Sequence, residues 1–549
     1  EAIACHNRVI ELDPDFAEAY SNLGAIFKKQ GITERALTNL RKSLVLKPDN
    51  AEVHKTIGII LEEQGKRDEA LFSYQESLRL KPDPGIEIKT ALLHPIINKS
   101  LKSISQYRKD LFNHIESLKQ KNLNIEDPPG QVGSTNFYLA YHGLNEKEIQ
   151  EKVASLYMDV CPDLLWTSDN LNEKQPQSYE KIKIGIISHY LTNHTIGQLN
   201  HGIIKHLSRE RFHVTLFRFI GEKEDSKSEV INSDADEVVE LPRKLKPARQ
   251  IIAEHSLNIL FYLDIGMDPL TYFMAFSRLA PVQCTTWGHP ITTGIPNIDY
   301  FISSKMAEVP EAEEHYSEQL ILPDRLTTYY YRPQLPENQR SREYFGISEN
   351  YNLYVCPQTL FKFHPDFDVI LGDLLRKDQK GLLVLTEGKH AAWTEMLQDR
   401  FSGTFPDVSD RVKFLPRLPR DDYMSLLNIA DVLLDPPHYG GGNTSLEAFA
   451  FGIPLVTLPG DFLRSRLTLA LYRQMDIMDC VAYDAQTYIE IAYRLANDAA
   501  WRSEIADKIN SKADCLFEDI ETVHELERFF ETAIQKIPNN NLLLEKQLT

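Results

Sequence analysis

Apolar and small residues in the first 85 positions recur every 34 residues. Four series of residues keep this spacing: Pro14, Pro48 and Pro82; Ala2, Ala36 and Ala70; Gly24 and Gly58; Gly31 and Gly65. Small residues at fixed points let two helices pack closely, and each proline follows the end of a helix. A unit of two helices cannot bury its apolar face alone, so such units must stack. The pattern predicts an all-α solenoid over residues 1–95.

This period is the signature of the tetratricopeptide repeat, a helix–turn–helix unit. Stacked repeats present a concave face that can take up a peptide. A passive spacer and a dimerisation arm are equally open alternatives, and the second implies a possible homo-oligomer. The chain starts at Glu1, without a methionine and already in register with the repeat, so we expect further repeats upstream.

Residues 96–180 keep a helical period and are predicted to form a helical linker region, with polar loops near residues 126–130 and 169–178. From Lys181 the pattern changes to short apolar, β-branched runs that alternate with amphipathic helices. Such alternation predicts parallel, doubly wound sheets.

The alternation extends over two domain-sized lengths of chain. It predicts an N-terminal Rossmann-like domain over residues 181–335 and a C-terminal one over residues 336–537. The helical stretch from 484 to 535 is expected to close the second domain, and residues 538–549 are expected to form a frayed tail. Ligands of such sheets bind beyond the carboxyl ends of the strands, here also in the cleft between the domains.

Charge and cysteine content narrow the possible partners. The 60 basic and 79 acidic residues give a net charge of −19, which argues against a nucleic-acid binder. Six scattered cysteines without a C-x-x-C pair fit a reducing, cytoplasmic setting. No apolar run approaches the ~18 residues of a membrane helix. We therefore expect a cytoplasmic protein that binds neither nucleic acid nor membrane.

Motifs of several common enzyme classes are missing from the sequence. It has no Walker motif, H-E-x-x-H, G-x-S-x-G or metal-ligand cluster, which disfavours an ATPase, a zinc peptidase and a serine hydrolase. A G-x-G-x-x-G after the first strand is also missing, which disfavours NAD binding. The sequence therefore predicts no metal site.

The stretch over residues 438–460 has the features of a phosphate site. An apolar strand runs into three glycines at residues 440–442, which let the backbone approach a ligand closely. Asn443 and Thr444 then open a helix, whose free N–H groups and positive dipole end attract an anion. Glu447 follows on the first turn, where a carboxylate can accept hydrogen bonds from a ribose. The alternative is an ordinary strand–turn–helix.

Two further side chains are candidates for chemistry. Lys362 follows a strand of the second domain, where a cation would neutralise a leaving diphosphate; a solvated loop lysine is the alternative. His194 follows the first strand of the first domain, where a histidine can bond the acceptor or sugar or act as a base. A loop histidine is more often structural, and His189, His201 and His289 are rivals.

Several longer stretches, taken together, resemble one family. They are FYLAYHGL, RLAPVQCTTWGHPITTGIPNIDYFISS, EHYSEQLILP, ADVLLDP and GIPLVTLPGDFLRSR. With the repeats before them, the chain resembles a bacterial-type member of the O-GlcNAc transferase family (glycosyltransferase family 41). This family joins tetratricopeptide repeats to two Rossmann-like domains in the GT-B arrangement. The resemblance covers nearly the whole chain and implies the same fold class here.

The resemblance also implies an activity. It implies an inverting, metal-independent transfer, without a cofactor, from a nucleoside diphosphate sugar to Ser or Thr of protein acceptors selected by the repeats. UDP-GlcNAc is the first expectation for the donor. Lys362 matches the family lysine at the diphosphate, and His194 matches the family histidine at the sugar and acceptor site. Gln358 or Thr359 matches a family glutamine, and a one-residue gap leaves both open.

The remaining matched positions surround the donor and the acceptor. Those on the nucleobase, phosphate and ribose side are Leu418, Arg420 and Tyr423; Gly441, Gly442, Asn443 and Thr444; and Glu447. Those expected in the sugar or acceptor pocket are His289, Thr293 and Asp264, with Asp268 as a further candidate.

Three departures from the animal members of the family leave the donor open. Those members carry His-Thr-Thr where this chain has residues 442–444, a histidine in place of Tyr423 and an aspartate in place of Glu447. Stacking on a base and bonding to a ribose survive these changes, but donor identity does not follow. GDP-fucose or UDP-glucose as donor and Asn as acceptor are alternatives. A catalytically silent repeat scaffold is another.

Overall fold

The computed structural model describes residues 2–172, 180–221 and 224–536, so the predicted tail at 538–549 lies outside the described residues. Five helices form the repeat region: α1 (Ala2–Leu12), α2 (Ala17–Lys29), α3 (Thr33–Leu46), α4 (Ala51–Glu63) and α5 (Arg67–Leu80). The recurrent glycines bring paired helices together, since a Cβ at Gly24 would lie 2.5 Å from the Cγ of Leu40. The predicted solenoid is confirmed.

A helical region joins the repeats to the first sheet. Its helices are α6 (Pro84–Ala91), α7 (Leu101–Lys119), α8 (Pro128–Gln131) and α9 (Lys147–Val160), with a 3-10 helix over Phe137–His142. Leu139, Val153 and Tyr157 are buried together with Phe273 and Phe276 of the first domain. Because its apolar side is covered in this way, the region predicted as a linker packs firmly on the first domain.

The first Rossmann-like domain holds a seven-stranded parallel sheet in the order β3-β2-β1-β4-β5-β6-β7. Its strands are β1 (Ile182–Ile187), β2 (Phe212–Phe219), β3 (Glu237–Leu241), β4 (Ile259–Tyr262), β5 (Val282–Thr286), β6 (Tyr300–Ile302) and β7 (Gln319–Ile321). The helices between them are α10 (Thr195–His206), α11 (Ser226–Ser233), α12 (Leu245–Glu254) and α13 (Pro269–Met274).

The second domain holds a five-stranded parallel sheet in the order β10-β9-β8-β11-β12. Its strands are β8 (Asn352–Val355), β9 (Gly381–Thr386), β10 (Val412–Leu415), β11 (Val432–Leu434) and β12 (Leu455–Val456). The helices that follow β8 in the chain are α14 (Pro365–Lys377), α15 (Ala391–Thr404), α16 (Arg420–Asn428), α17 (Asn443–Ala450), α18 (Leu467–Met475), α19 (Ala485–Asn497), α20 (Ala499–Lys512) and α21 (Ile520–Gln535). Two tandem Rossmann-like domains behind a repeat solenoid confirm the GT-B fold class.

The last helix departs from the prediction. The helical stretch up to residue 535 was expected to close the second domain, but α21 packs on the first sheet. Val523, Leu526 and Phe530 are fully buried there, and the Phe530 ring centroid lies 5.7 Å from that of Phe261 in β4. An amphipathic pattern identifies a helix but does not tell which of two apolar sheets the helix covers.

The strand order locates the expected binding edge. In the first sheet the order reverses between β1 and β4, and in the second between β8 and β11. Ligands of open α/β sheets bind at such switch points, beyond the carboxyl ends of the strands. None of the described helices combines the length and apolar character needed to cross a bilayer.

Candidate functional site

The glycine turn after β11 is built around a buried carboxylate. Asp435 accepts hydrogen bonds from the N–H of Gly441 at 2.6 Å and from Thr457 Oγ1 at 2.8 Å. A Cβ at Gly441 would lie 2.5 Å from the hydroxyls of Ser445 and Thr444, so a larger residue would displace these side chains. Helix α17 begins after Gly442 without a side-chain cap. Its first N–H groups therefore have no side-chain cap, and their assignment to a phosphate stays a prediction.

Lys362 reaches the glycine turn from the neighbouring strand β8, on the other side of the switch point between β8 and β11. Its 3-10 helix, Leu360–Lys362, follows β8. The Lys362 Nζ donates to the carbonyl of Gly440 at 2.9 Å and to Gln358 Oε1 at 2.7 Å, and it lies 4.6 Å from the ring centroid of Tyr439. Burial lowers the pKa of Lys362 to about 8, while Asp435 opposes the shift. The ammonium group is thus held at the turn and charged near neutral pH.

Gln358 connects the lysine to the start of α17. Its Nε2 donates to Thr444 Oγ1 at 2.6 Å while its Oε1 accepts from Lys362. Of the two positions that the sequence left open, Gln358 makes these bonds, and Thr359 begins the short helix that carries Lys362.

The positions predicted around the base and ribose lie beside the same turn. The Arg420 Nη1 donates to Glu447 Oε1 at 3.0 Å, and burial raises the pKa of Glu447. The hydroxyl of Tyr423 is buried and has no hydrogen-bond partner among residues 2–172, 180–221 and 224–536. Leu418 is half-buried against the second-domain core. Glu447 and the Tyr423 hydroxyl are thus buried polar groups, and their assignment to the ribose and the base stays a prediction.

The first domain contributes His194 from the end of β1. His194 is the N-cap of α10, where its Nδ1 accepts the N–H of Ile196 at 3.3 Å. Its ring lies against Tyr190, with centroids 4.6 Å apart. Burial lowers the pKa of His194, so the imidazole is neutral at pH 7 and able to accept a proton.

The structure gives the other predicted pocket residues internal partners. His289 is buried, its Nδ1 lies 2.9 Å from the carbonyl of Ile265, and burial lowers its pKa to about 4. The backbone N–H and the hydroxyl of Thr293 both donate to Glu318. The two predicted aspartates also have partners. Asp264, just after β4, accepts a hydrogen bond from Ser188, and Asp268 caps α13. Their assignment to a sugar pocket stays a prediction.

Contacts between the domains bring the two halves of the site together. The Tyr330 hydroxyl lies 2.8 Å from Asn443 Oδ1 and 3.1 Å from Gln198 Oε1, so it contacts the first turns of both α17 and α10. The Tyr141 ring stacks on Tyr439 at 4.6 Å and also contacts Phe361, the neighbour of Lys362. Tyr330 therefore connects the start of α17 in the second domain with the start of α10 in the first.

Three residues near the site were not predicted from the sequence. Tyr330 lies far in the chain from both the glycine turn and His194, and no local pattern distinguishes it. Tyr439 directly precedes the glycines, so its position next to the turn was a usable signal. His142 lies within FYLAYHGL; it is buried, and neither ring nitrogen has a hydrogen-bond partner among the described residues. Burial keeps the pKa of His142 well below its usual range.

The structure also brings together a set of metal-type ligands that the sequence did not reveal. One ligand atom each from His364, Asp366 and His438 lies within 4.8 Å of the other two. The third member stands 72 residues after the second, a spacing that no metal motif uses. The prediction that the protein has no metal site stays a prediction, and these three side chains are the place to test it.

Comparison with known families gives matches along most of the chain. The model of the family described as glycosyl transferase family 41 matches residues 131–330 and 336–524. Tetratricopeptide models match residues 1–31 and 51–84.

Curated relatives are similar at modest identity. A probable UDP-N-acetylglucosamine–peptide N-acetylglucosaminyltransferase SPINDLY of Solanum lycopersicum is 24% identical over 69% of this chain and 41% of its own length. The corresponding SEC protein of Arabidopsis thaliana is 23% identical over 65% of this chain and 37% of its own. A UDP-glucose:protein N-beta-glucosyltransferase of Actinobacillus pleuropneumoniae is 26% identical over 48% of this chain and 42% of its own. The chain thus spans less than half the length of these relatives.

One solved structure is similar over almost the full length. It is a mutant O-GlcNAc transferase of Thermobaculum terrenum, with a TM-score of 0.70 and 20% identity over 98% of this chain and 95% of that one. At this identity the similarity shows the fold.

Proposed function

The chain belongs to glycosyl transferase family 41, and from that we propose that it transfers a sugar from a nucleoside diphosphate to protein. The observation that carries the proposal is the position of Lys362. Its side chain is half-buried, and its ammonium group is bonded to Gly440 and Gln358, next to the uncapped start of α17. A cation and free N–H groups that converge on one point are what a departing diphosphate requires.

The proposed reaction is a single displacement with inversion. The acceptor oxygen attacks the anomeric carbon of the donor while the bond to the diphosphate oxygen breaks, and the electron pair leaves with the diphosphate. Lys362 and the N–H groups of residues 442–444 stabilise the developing charge, so this step needs no metal on the diphosphate. The acceptor proton passes to a base. His194 is our candidate, because it is neutral at pH 7 and lies at the carboxyl end of β1.

The donor and the acceptors are part of the same proposal. We propose UDP-GlcNAc as donor, with Tyr423 and Arg420 at the base and Glu447 at the ribose, and Ser or Thr as acceptors. The repeats would select the acceptors. In support, the turn between α4 and α5 touches the second domain, since a Cβ at Gly65 would lie 3.1 Å from Trp393 Nε1. A peptide held by the repeats would therefore be held next to the catalytic unit.

The direct test is calorimetric titration of the purified chain with UDP, GDP, UDP-GlcNAc, UDP-glucose and GDP-fucose. We expect UDP to bind, UDP-GlcNAc to be the preferred conjugate, and incubation with Ser/Thr peptides to add one GlcNAc mass to the peptide. A preference for GDP would favour a fucosyl donor instead. If no nucleotide bound, the catalytically silent scaffold would become the better explanation.

The low pKa of Lys362 predicts an alkaline limit to activity. Below about pH 8 the ammonium group is charged and can bind the diphosphate, and above it the amine is neutral and cannot. The value of kcat/KM, which reports the free enzyme, should therefore fall as the pH rises through about 8. In a Lys362→Arg variant the residual kcat/KM should not fall in this pH range, because a guanidinium keeps its proton at any pH of the assay. A wild-type kcat/KM that stayed level well above that pH would contradict the prediction.

A further inference from the structure

Three metal-type ligands meet beside the glycine turn. His364 is the N-cap of α14, Asp366 lies in the first turn of that helix, and His438 lies between β11 and the glycines. Asp366 Oδ2 is 2.9 Å from His438 Nε2 and 3.3 Å from His364 Nδ1. Within the described parts of the chain, no other group of three His, Cys, Asp or Glu side chains meets the same criterion.

The separations fit coordination of one small cation. Two ligands of a tetrahedral zinc ion, each about 2.1 Å from the metal, lie about 3.4 Å apart. The His364–Asp366 separation is already close to that value, and the 2.9 Å separation is a hydrogen bond that a cation would replace. The His364 Nδ1 also accepts a long hydrogen bond, 3.3 Å, from the backbone N–H of Asp366, which a metal would displace.

The three side chains differ in their exposure to solvent. The His364 side chain is only 4% exposed, whereas Asp366 is 43% and His438 28% exposed. One side of the cluster is therefore open for entry of an ion and for a water ligand.

The backbone around His438 is shaped to hold the ring in place. His438 has a φ of +69°, a left-handed conformation that side-chain-bearing residues rarely adopt. Its ring passes directly over Gly143, where a Cβ would lie 2.6 Å from the His438 Nδ1. The ring centroids of His438 and His364 are 4.2 Å apart. The left-handed backbone of His438 and the absence of a side chain at Gly143 together allow the imidazole to reach Asp366.

From this geometry we propose that His364, Asp366 and His438 together bind one divalent metal ion of the zinc kind, with Zn²⁺ itself as the first expectation. Two imidazoles and one carboxylate suit zinc and its neighbours, whereas Mg²⁺ and Ca²⁺ prefer oxygen ligands throughout. None of the three side chains belongs to the set that we assign to the diphosphate. The ion would instead fix the segment that carries Tyr439 and Gly440, whose ring and carbonyl hold Lys362.

The site can be tested by metal binding alone, without reference to transfer. The chain, free of any histidine tag and stripped with a chelator, is titrated with Zn²⁺ in a calorimeter and with Co²⁺ in a visible spectrometer. We expect one ion per chain, a Co²⁺ absorption band of a nitrogen- and oxygen-ligated site, and a higher melting temperature with Zn²⁺. Asp366→Asn and His438→Gly should each raise the Kd at least about 100-fold, because the first replaces a carboxylate by a weakly coordinating amide and the second removes an imidazole. Glycine suits the left-handed backbone, so His438→Gly is not expected to impair folding.

The matched control is His213→Leu. His213 and Glu237 form another partly exposed histidine–carboxylate pair, with Nε2 and Oε2 3.8 Å apart. This variant should bind Zn²⁺ like the unchanged chain. The proposal is overturned if the unchanged chain binds no Zn²⁺, or if the Asp366 and His438 variants bind it as tightly as the control. Because the measurement uses no nucleotide, its failure would leave the proposed transferase activity untouched.

Discussion

Replacing Lys362 with methionine is expected to lower sugar transfer by at least about 10²–10³-fold, the usual effect of removing one charge-stabilising donor. Methionine has a similar length and keeps the apolar part of the side chain, so the variant should fold. It cannot donate to Gly440 or Gln358, and it cannot neutralise a departing diphosphate. The loss should appear mainly in kcat, because the charge develops as the bond breaks. Steady-state transfer to a Ser/Thr peptide measures it, and Lys362→Ala should behave in the same way.

Lys377→Met provides the matched control for this experiment. Lys377 lies at the end of α14 and forms an exposed ion pair with Glu490 at 2.6 Å. Exposed pairs contribute little to stability, so this variant should retain both melting temperature and turnover. Normal turnover in the Lys362 variant would refute the role that we assign to this lysine. A parallel loss in both variants would instead indicate a nonspecific effect of removing a cation.

Replacing Arg400 with leucine is expected to lower the free energy of unfolding by about 3–5 kcal/mol, the usual cost of breaking a buried ion pair on one side. Arg400 in α15 donates twice to Asp368, at 2.7 Å each, and both side chains are almost fully buried. It also donates to the carbonyls of Asn98 and Phe363. Its loss would leave the Asp368 carboxylate buried and unpaired and would disconnect the helical region from the segment next to Lys362.

Urea unfolding followed by tryptophan fluorescence measures this effect as a shift of the transition midpoint. Arg376→Leu is the control, because Arg376 makes the same kind of bonds to Asp373 and Asp407 on the surface. The Arg376→Leu change should lower the free energy of unfolding by no more than about 1 kcal/mol. Adding Asp368→Asn to the Arg400 variant should restore part of the loss by removing the unpaired charge. Equal transition midpoints for the two arginine variants would show that the buried ion pair contributes no more to stability than the exposed one.

The elements that a local pattern encodes were predictable. Gly24 and Gly58 repeat because each sits where two helices touch, and that packing constraint recurs in every unit. The strands and the glycine turn were predictable for a similar reason, since burial and close approach of the backbone act on consecutive residues. Lys362 lies at the turn because it follows a strand beside a switch point, and switch points collect ligand-binding groups.

The elements that depend on contacts between distant segments were not predictable. Tyr330 links two helix starts that lie more than 200 residues apart in the chain. Asp366 meets His438 only because β8 and β11 are neighbours in the sheet. Thr293 was matched to a pocket by its motif, yet its bonds to Glu318 lie within the first domain. Such partners follow from the strand order, which alternating patterns do not encode.

The position of α21 has a consequence for synthesis of the protein on the ribosome. The first sheet is complete at residue 321, but the helix that covers part of it ends at residue 535. At about 5–20 residues per second, roughly 10–40 s pass between the two events. During that time the apolar surface that receives Val523, Leu526 and Phe530 is uncovered on the nascent chain. We expect ribosome-stalled chains that end before residue 520 to be cleaved by protease in the first domain, and chains released after α21 to resist it.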